Sequence, residues 1–383
     1  MKKDWEIKKL GEVCEVIAGQ SPEGKFYNQD KKGTPFYQGK KDFGLKYLDK
    51  PTVWTTVETK IALENDILMS VRAPVGDINI CTSRVCIGRG LAAIRASEVV
   101  NNDFLFYFLL SIKSKITGKE GAVFASINRQ EISDLTIPLP PLEEQKRIVK
   151  ILDEKFAQLE SLKANAQTNL QNAKDLFQSQ LTKAFSNTTW EMQKLSEITE
   201  VKDGTHDSPS YYSEGIPFVT QKNITPSGFD LTNTKRISLQ DHEKFYKRSN
   251  VEYGDIIIAM IGANRGMSCI VNTREVFSIK NVGLIKKSEK TNQEYLAYYL
   301  KSEAAQKYVS DASNGGAQEF IGLSSLRNFP IPLPPLHEQK CIVKELDTLS
   351  EKVRQLQEIY TKQIANCDEL KQAYLQKAFE GEL

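Results

Sequence analysis

The chain contains one long segment twice. IPLPPLEEQKRIVKILD at residues 137–153 returns as IPLPPLHEQKCIVKELD at residues 331–347, 194 positions later, with 14 identities in 17 positions. The match continues without a gap to Phe185 and Phe379, where it reaches 22 identities in 49 aligned residues. Solenoid units repeat every ~20 to 50 residues, so a period this long is a whole domain with its connector. The sequence therefore predicts two similar modules related by a twofold pseudo-symmetry.

The repeat divides the chain into four segments. Residues 1–140 and 188–334 have mixed patterns, in which short β-rich runs alternate with turn clusters and helical patterns close each segment. Each is predicted to be a compact domain of mixed α and β structure. The two are related to each other, since GTPF at 33–36 answers GIPF at 215–218 and NDIL at 65–68 answers GDII at 254–257. Residues 141–187 and 335–383 are each predicted to form one long helix.

The two helical segments have coiled-coil character. Each begins after a Pro-Pro pair with acidic residues in its first turn, which suits the positive end of a helix dipole. Apolar residues in the second keep an alternating 4,3 spacing, apart from Gln363, at Ile342, Leu346, Leu349, Val353, Leu356, Tyr360, Cys367, Leu370 and Tyr374. The first segment places Lys155 and Asn169 at seam positions beside Ile148, Leu152, Leu159, Leu162, Ala166, Ala173 and Leu176. Two such seams favour pairing with each other, although each helix packing only on its own domain stays an alternative.

Helix length predicts the sense of that pairing. A helix of about 45 residues is about 67 Å long, whereas a domain of about 145 residues is near 40 Å across. Parallel helices would require the second domain to bridge a full helix length, which it is too small to do. The expected fold class is therefore α+β, with two α/β domains joined by two long helices in an antiparallel coiled coil, and a dumbbell with a pseudo-dyad.

Composition and missing motifs narrow the function. The chain has 383 residues, 40% of them apolar and 26% charged, with a net charge of +2. It shows no apolar run of membrane-helix length and no signal-peptide core, so we expect a cytoplasmic protein without a membrane partner. It also has no phosphate-binding GxxxxGK[ST] loop, no amino-methyltransferase NPPY or DPPY motif and no HExxH, and it has only three histidines. A catalytic role is therefore not expected.

The order of segments resembles a known family. A variable domain, a PLPPLxEQxxIVxxLD helix that ends in KAF, a second variable domain and the same helix again are similar to the specificity subunit of a type I restriction-modification enzyme. The resemblance implies two target-recognition domains that each read one half of a split double-stranded DNA sequence, with the helices as the spacer. It also implies two methyltransferase subunits and two restriction subunits as partners. S-adenosylmethionine, ATP and magnesium would serve the complex, with no cofactor in this chain.

Polar and basic side chains on loops are the candidates for DNA contact, because such side chains reach base edges and phosphates. In the first domain they are Lys25, Tyr27, Gln38, Lys40, Lys41, Arg72, Arg84 and Arg89. In the second they are Thr205, His206, Tyr211, Gln221, Lys222, Asn223, Asn264, Arg265, Lys280 and Asn281. Gln38 and Gln221 both follow a GxPF motif, and Arg72 and Arg265 both follow a DIL or DII strand. For any single residue, a solvated loop charge or a turn former is the alternative.

Two alternative hypotheses for the function of the whole chain remain. One is a recognition subunit whose partner carries both nuclease and methyltransferase activity. The other is a scaffold that binds no DNA and holds partner proteins apart. Gly315-Gly316 predicts a flexible loop, with DNA contact as the alternative.

Overall fold

The computed structural model describes residues 5–116, 126–225, 228–262, 264–312 and 320–383. Gly315 and Gly316 lie outside these ranges. The chain forms two compact units: the first comprises Met1–Gln167 and Thr361–Leu383, and the second comprises Thr168–Tyr360. Each unit thus contains one globular segment and part of each long helix. Among the described residues, no helix is both long enough and apolar enough to cross a membrane.

The elements follow in chain order. The strands are β1 (Glu6–Lys9), β2 (Cys14–Ala18), β3 (Tyr27–Asn28), β4 (Thr34–Tyr37), β5 (Trp54–Thr55), β6 (Ile61–Ala62), β7 (Ile67–Ser70), β8 (Ile78–Ile80), β9 (Val85–Ile87), β10 (Leu91–Ala96), β11 (Thr136–Leu139), β12 (Met192–Lys194), β13 (Val201–Asp203), β14 (Ile216–Val219), β15 (Ile224–Thr225), β16 (Gly228–Phe229), β17 (Lys235–Ile237), β18 (Ile256–Ala259), β19 (Ser268–Ile270), β20 (Ser278–Ile279), β21 (Val282–Ile285) and β22 (Pro330–Pro332). The helices are α1 (Leu10–Val13), α2 (Asn102–Ser111), α3 (Lys113–Ile116), α4 (Arg129–Ser133), α5 (Leu142–Ala184), α6 (Leu195–Ile198), α7 (Leu239–Ser249), α8 (Gln293–Leu300), α9 (Glu303–Asp311), α10 (Leu323–Arg327) and α11 (Leu336–Glu380).

Each unit contains its own four-stranded antiparallel sheet, and the two sheets have equivalent strand orders. The strand order is β2-β10-β7-β8 in the first unit and β13-β21-β18-β19 in the second. The central strands β7 and β18 are buried along their whole length, which explains why they show no polar alternation and are apolar except for Ser70 at the end of β7. A two-stranded pair, β1 with β11 and β12 with β22, joins the start of each globular segment to the residues that precede its long helix. The mixed fold with two related domains is therefore present.

The acidic residue of the DIL and DII motifs has the same role twice. Asp66 is buried and accepts two hydrogen bonds from Arg95, at 2.9 and 2.8 Å. Asp255 is fully buried and accepts from Lys286 Nζ at 2.6 Å and from the backbone N–H of Glu252 at 2.8 Å. A buried carboxylate is tolerated only when it is paired and hydrogen-bonded, so the pair is a shared structural element of both sheets.

The long helices show a buried seam with the predicted 4,3 alternation, but half of its positions are displaced by one residue. Leu162, Leu176, Leu356 and Leu370, which were predicted to lie in the seam, are 58%, 46%, 36% and 48% exposed. The observed seam follows buried or half-buried positions at Leu152, Phe156, Leu159, Lys163, Ala166, Leu170, Ala173 and Phe177 in α5, and at Leu346, Ser350, Val353, Gln357, Tyr360, Ile364, Cys367, Lys371, Tyr374 and Ala378 in α11. The predicted seam residues Lys155 and Leu349 are also half-buried. One residue is a rotation of about 100° on a helix, so a leucine next to the seam line faces solvent.

Two positions of the observed seam are lysines, and each of these lysines is paired with an acidic residue of the other helix. In the first unit, Lys163 pairs with Asp368 at 2.6 Å, and Lys371 pairs with Glu160 at 3.0 Å. Residue numbers rise along one helix as they fall along the other, so the two helix segments of this unit run antiparallel. Because each lysine stem lies along the seam while its ammonium reaches an acid of the other helix, both seam positions remain paired.

The PLPPLxEQ motif fastens each long helix to its domain. Gln145 is fully buried, accepts from the backbone N–H of Asn101 at 2.7 Å, and donates to the carbonyls of Val99 and Pro140. Gln339 is equally buried, accepts from the N–H of Asn292 at 2.8 Å, and donates to the Pro334 carbonyl. Asn101 and Asn292 are the N-caps of α2 and α8, so the same glutamine contacts the same point of both domains.

The KAF motifs end the helices against aromatic side chains. In the first unit, Phe379 packs on Phe104 and Phe108, with ring centroids 5.1 and 5.5 Å apart. In the second unit, Phe185 packs on Tyr295 and Tyr299, both at 5.3 Å. Each domain is therefore held by the beginning of one long helix and by the end of the other.

Candidate nucleic-acid interface

In the second unit, two parallel strands carry candidate residues to one edge of a sheet. β14 and β20 pair in parallel, with Phe218 opposite Ser278 and Val219 opposite Ile279. The loops that follow them, 220–223 and 280–281, therefore begin side by side. The backbone N–H of Lys280 donates to the carbonyl of Val219 at 2.8 Å and fixes this arrangement. Gln221, Lys222, Lys280 and Asn281 are thereby brought to the same edge.

The loop after β13 joins this edge. The backbone N–H of Thr205 donates to the Ile279 carbonyl at 3.0 Å, and that of Asn281 donates to the Thr205 carbonyl at 3.1 Å. The His206 ring nitrogen Nδ1 lies 2.7 Å from Asn281 Oδ1, and its Nε2 lies 3.2 Å from the Asp203 carboxylate. His206 is thus held between two strand ends while its side chain stays 63% exposed.

The turn after β18 lies against Gln221. Gly262 has φ +74, and a Cβ added there would lie 3.2 Å from Gln221 Nε2. The turn closes where the N–H of Arg265 donates to the Gly262 carbonyl at 3.2 Å, and Asn264 is exposed at its tip. Glycine is favoured here because the left-handed conformation strains other residues and because the glutamine approaches closely. The loops that carry His206, Gln221, Arg265 and Asn281 therefore form one continuous edge.

The first unit repeats this edge with different side chains. β4 and β9 pair in parallel, with Tyr37 opposite Ile87. The N–H of Gly88 donates to the Tyr37 carbonyl at 2.8 Å, and the N–H of Gln20 donates to the Ile87 carbonyl at 3.0 Å. These two hydrogen bonds correspond to those of Lys280 and Thr205 in the second unit. The structure therefore brings together Gln38 and Arg89, and it adds Gln20 and Ser21, which sequence reasoning missed.

Two glycines let the Arg89 loop approach Gln38. A Cβ at Gly90 would lie 2.5 Å from the Gln38 carbonyl oxygen, and one at Gly88 would lie 3.0 Å from the Gln38 Cα. Val71, directly after β7, donates its N–H to the Gly90 carbonyl at 2.9 Å, and this places Arg72 in the loop next to the one that carries Arg89. The signal for Gln20 and Ser21 was available in the sequence, since Gly19-Gln20-Ser21 aligns with Gly204-Thr205-His206 after the first strand of each sheet.

Several basic candidates of the first unit are already paired with acids. Arg84 forms a two-pronged ion pair with Glu58, and this guanidinium, together with the Thr34 hydroxyl, lowers the pKa of Glu58 to about 2. Lys25 pairs with Glu23 at 2.6 Å, and Lys40 pairs with Asp77 at 2.6 Å. Within the described part of the first unit, Lys41, Arg72 and Arg89 form no ion pair and are exposed. Among the basic candidates of the first unit, these three residues therefore carry the positive charges that are least offset by acidic partners.

Three other candidates use their side chains to build the loops. Tyr27 donates its hydroxyl to the Pro22 carbonyl at 2.8 Å and stacks on Phe36 at 4.8 Å. Asn223 is buried, and its Oδ1 accepts from the N–H of Thr220 at 2.9 Å. Thr205 is buried, and its hydroxyl oxygen accepts from the N–H of Asp207 at 3.1 Å. Contact between these side chains and DNA stays a prediction. In the structure, their hydrogen bonds stabilise the loops.

The remaining candidates of the second unit are more accessible. Lys222 is exposed in the turn after β14, and Lys280 donates to Ser208 Oγ at 2.6 Å. Tyr211 is 43% exposed, and the ammonium of Lys235 lies 4.0 Å from its ring centroid. Arg248, which sequence reasoning did not single out, donates to both Asp203 carboxylate oxygens at 2.8 Å and is half exposed. Its guanidinium offsets the acid that lies beneath His206.

The chemistry of both edges is that of polar recognition. Amides, a guanidinium, an ammonium and an imidazole lie on rigidly paired loops, and these groups hydrogen-bond to base edges and phosphates. Within the described ranges, no group of three or more His, Cys, Asp or Glu residues is arranged to hold a metal ion. The edges therefore offer hydrogen-bond donors and acceptors rather than a cluster of metal ligands.

Comparisons with known proteins agree with this architecture. A family model described as the type I restriction modification DNA specificity domain matches residues 2–170 and again residues 187–364. A putative type I restriction enzyme specificity subunit of Methanocaldococcus jannaschii is 48% identical over 153 residues, which is 39% of this chain and 36% of that relative. A second specificity subunit of that organism is 25% identical over 90% of this chain and 86% of its own length.

A solved structure shares the fold over the whole chain. It comes from work on complex assembly and conformational transition of the type I R-M system, and one of its chains superposes with a TM-score of 0.82 at 21% identity. The superposition covers 100% of this chain and 99% of that one. Since the family model matches once in each half of this chain, the internal repeat corresponds to two copies of one domain type.

Proposed function

The chain belongs to the type I restriction modification DNA specificity domain family, and on that premise we propose that it is the subunit that selects the DNA sequence in a type I restriction-modification complex. Each domain would read one half of a split target in double-stranded DNA. The observation that carries this proposal is the pair of equivalent loop edges, which share their backbone hydrogen bonds but differ in the side chains they present. A constant frame with different side chains suits two readers of different bases.

The partners and cofactors follow from the same proposal. We propose that two methyltransferase subunits and two restriction subunits bind this chain, which is itself non-catalytic. S-adenosylmethionine, ATP and magnesium would be used by those subunits and not by this one. The complex would act in the cytoplasm, where its DNA lies. The two equivalent polar edges favour a DNA-reading subunit over a scaffold protein that binds no DNA. A protein that only holds partners apart would not need such edges.

Selection from random DNA tests this function. The full chain, produced with its methyltransferase, is mixed with random duplexes, and the bound fraction is sequenced. We expect one split motif, with affinity that falls steeply as salt rises because lysine and arginine displace counterions from phosphates. Enrichment of a continuous motif, or of none, would refute the proposal.

A reciprocal pair of variants tests the assignment of one domain to each half-site. Arg265→Ala in the second unit and Arg89→Ala in the first each remove one guanidinium from an edge. Each should relax the base preference in one half only, by about 1 to 3 kcal/mol at the affected base pair. The two variants should relax opposite halves, and weakening of both halves by either variant would contradict the assignment.

A further inference from the structure

Each domain contacts its long helix at a second point, beyond the buried glutamine. In the first unit the Tyr107 hydroxyl donates to Asp153. In the second unit the Tyr298 hydroxyl donates to Asp347 at 2.7 Å. Asp153 and Asp347 are the last residues of the repeated 17-residue segment, and the tyrosines lie on α2 and α8, the helices whose N-caps meet Gln145 and Gln339.

The spacing of the two contacts is the same in both units. Along the long helix, the glutamine and the aspartate are eight residues apart, which is about 12 Å. Along the domain helix, the N-cap asparagine and the tyrosine are six residues apart, which is about 9 Å. A single contact leaves two helices free to rotate about it, whereas two separated contacts fix their crossing angle. Together with the apolar packing of the KAF phenylalanines, the glutamine and Tyr–Asp contacts therefore restrict the orientation of each domain on its helix.

The surroundings of the Tyr–Asp contacts keep them formed. Burial and the Asp153 carboxylate raise the pKa of Tyr107, and burial and the Asp347 carboxylate raise the pKa of Tyr298, so both hydroxyls remain donors at neutral pH. Lys46 lies 3.9 Å from the Asp153 carboxylate and 5.3 Å from the Tyr107 ring centroid. The Tyr107 ring also packs edge-on against Phe156 of α5, at 5.4 Å.

A small change at this contact is large enough to matter for DNA. A slip of about 1 Å at one of two points about 12 Å apart turns the domain by about 5°, and this moves the far side of a domain about 40 Å across by about 3 Å. Successive base pairs of B-DNA are separated by about 3.4 Å. A slip of this size would therefore displace the domain by about one base-pair step.

We propose that Tyr107 with Asp153, and Tyr298 with Asp347, are positioning contacts that set the number of base pairs between the two half-sites. The proposal rests on the proposed function, since it concerns the spacer of a split target. These side chains touch no DNA base in this scheme and act only through the angle of the domain on its helix. Substitution should therefore change the spacer that is accepted and leave the bases that are read unchanged.

The test repeats the selection with a library that holds the wild-type half-sites and varies the spacer. The double variant Tyr107→Phe/Tyr298→Phe keeps both rings and removes only the hydroxyls. We expect it to enrich the same bases and to lose about tenfold of the preference for the wild-type spacer over spacers one base pair longer or shorter. Tyr308→Phe is the matched control, because its hydroxyl donates to Ser325 at 3.0 Å within the second domain, and it should keep the spacer.

The outcomes separate the two proposals. If the unaltered chain enriches no split motif, the proposed function fails. If it enriches one and the double variant keeps the same spacer preference, the positioning role is wrong and the contacts serve stability alone. Unfolding midpoints of the double variant and the control show whether folding is affected. Should the double variant not fold, Asp347→Ala, which removes the acceptor of the Tyr298 hydroxyl at an exposed position of α11, takes its place, and an unchanged spacer preference would then overturn the inference.

Discussion

Replacement of Gln145 by leucine is the sharpest test of how the repeated motif works. The leucine fills nearly the same volume but leaves the Asn101 N–H without an acceptor and the Val99 and Pro140 carbonyls without a donor. A buried polar group without a partner costs about 1 to 3 kcal/mol, and Val99 is 51% exposed, so water can reach its carbonyl more easily. We therefore expect a loss of about 3 kcal/mol in the free energy of unfolding of the first unit.

Hydrogen exchange read by peptide gives the location of that loss. Amides of α2 should exchange about 150-fold faster in Gln145→Leu if they exchange through opening of the unit, since 1.4 kcal/mol is a factor of ten. Gln339→Leu should do the same to α8 in the second unit and leave α2 unchanged. Gln158→Leu, at an exposed position of α5, is the control and should stay within about 0.5 kcal/mol of the unaltered chain. Equal effects of Gln145→Leu and Gln158→Leu would refute the reasoning.

Three further predictions concern the domains. Lys286→Met leaves the buried Asp255 carboxylate unpaired and should cost about 3 to 5 kcal/mol in denaturant unfolding, whereas Lys286→Met with Asp255→Leu should recover most of it. Gly262→Ala places an alanine at φ +74 and should lower the free energy of unfolding by about 1 to 2 kcal/mol in the same assay. An unchanged free energy of unfolding would contradict the strain at this turn. Burial lowers the pKa of His242 below 6.5, so the unfolded chain takes up its proton first and stability should fall as the pH drops below 6.5. Unfolding midpoints across this range should show a smaller decrease for His242→Asn, and an unchanged decrease would exclude this histidine as a cause.

The parts of the fold that depend on periodicity and length were predictable from sequence. The long helices follow from the repeat, and the antiparallel sense within the first unit agrees with the pairs Lys163–Asp368 and Lys371–Glu160. The seam itself was half wrong, because the prediction chose the nearest apolar residue, such as Leu356, over the residue on the buried line, Gln357. Residue type alone does not show which of two neighbouring positions faces the partner helix.

The candidate interface was predictable as loops and not as individual side chains. Gln38 and Arg89, or Gln221 and Asn281, come together because parallel strands end at the same edge, and the related motifs of the two domains gave that correspondence. The ion pair that occupies Arg84 joins residues 26 positions apart and depends on how two loops fold against each other. Nothing in the local sequence indicates that one arginine is paired and another is not.

Burial explains why some positions are identical in the two copies of the repeat, but it does not explain all of the identical positions. The three positions that differ, 143, 147 and 151 with their counterparts 337, 341 and 345, are exposed or half-buried, as expected where packing makes no demand. Lys146 and Lys150 are also exposed, yet both recur as Lys340 and Lys344. They lie four residues apart on one helix face, and packing gives no reason for their identity. A shared surface on both helices is what two identical partner subunits would require, and the proposed methyltransferase pair is such a partner.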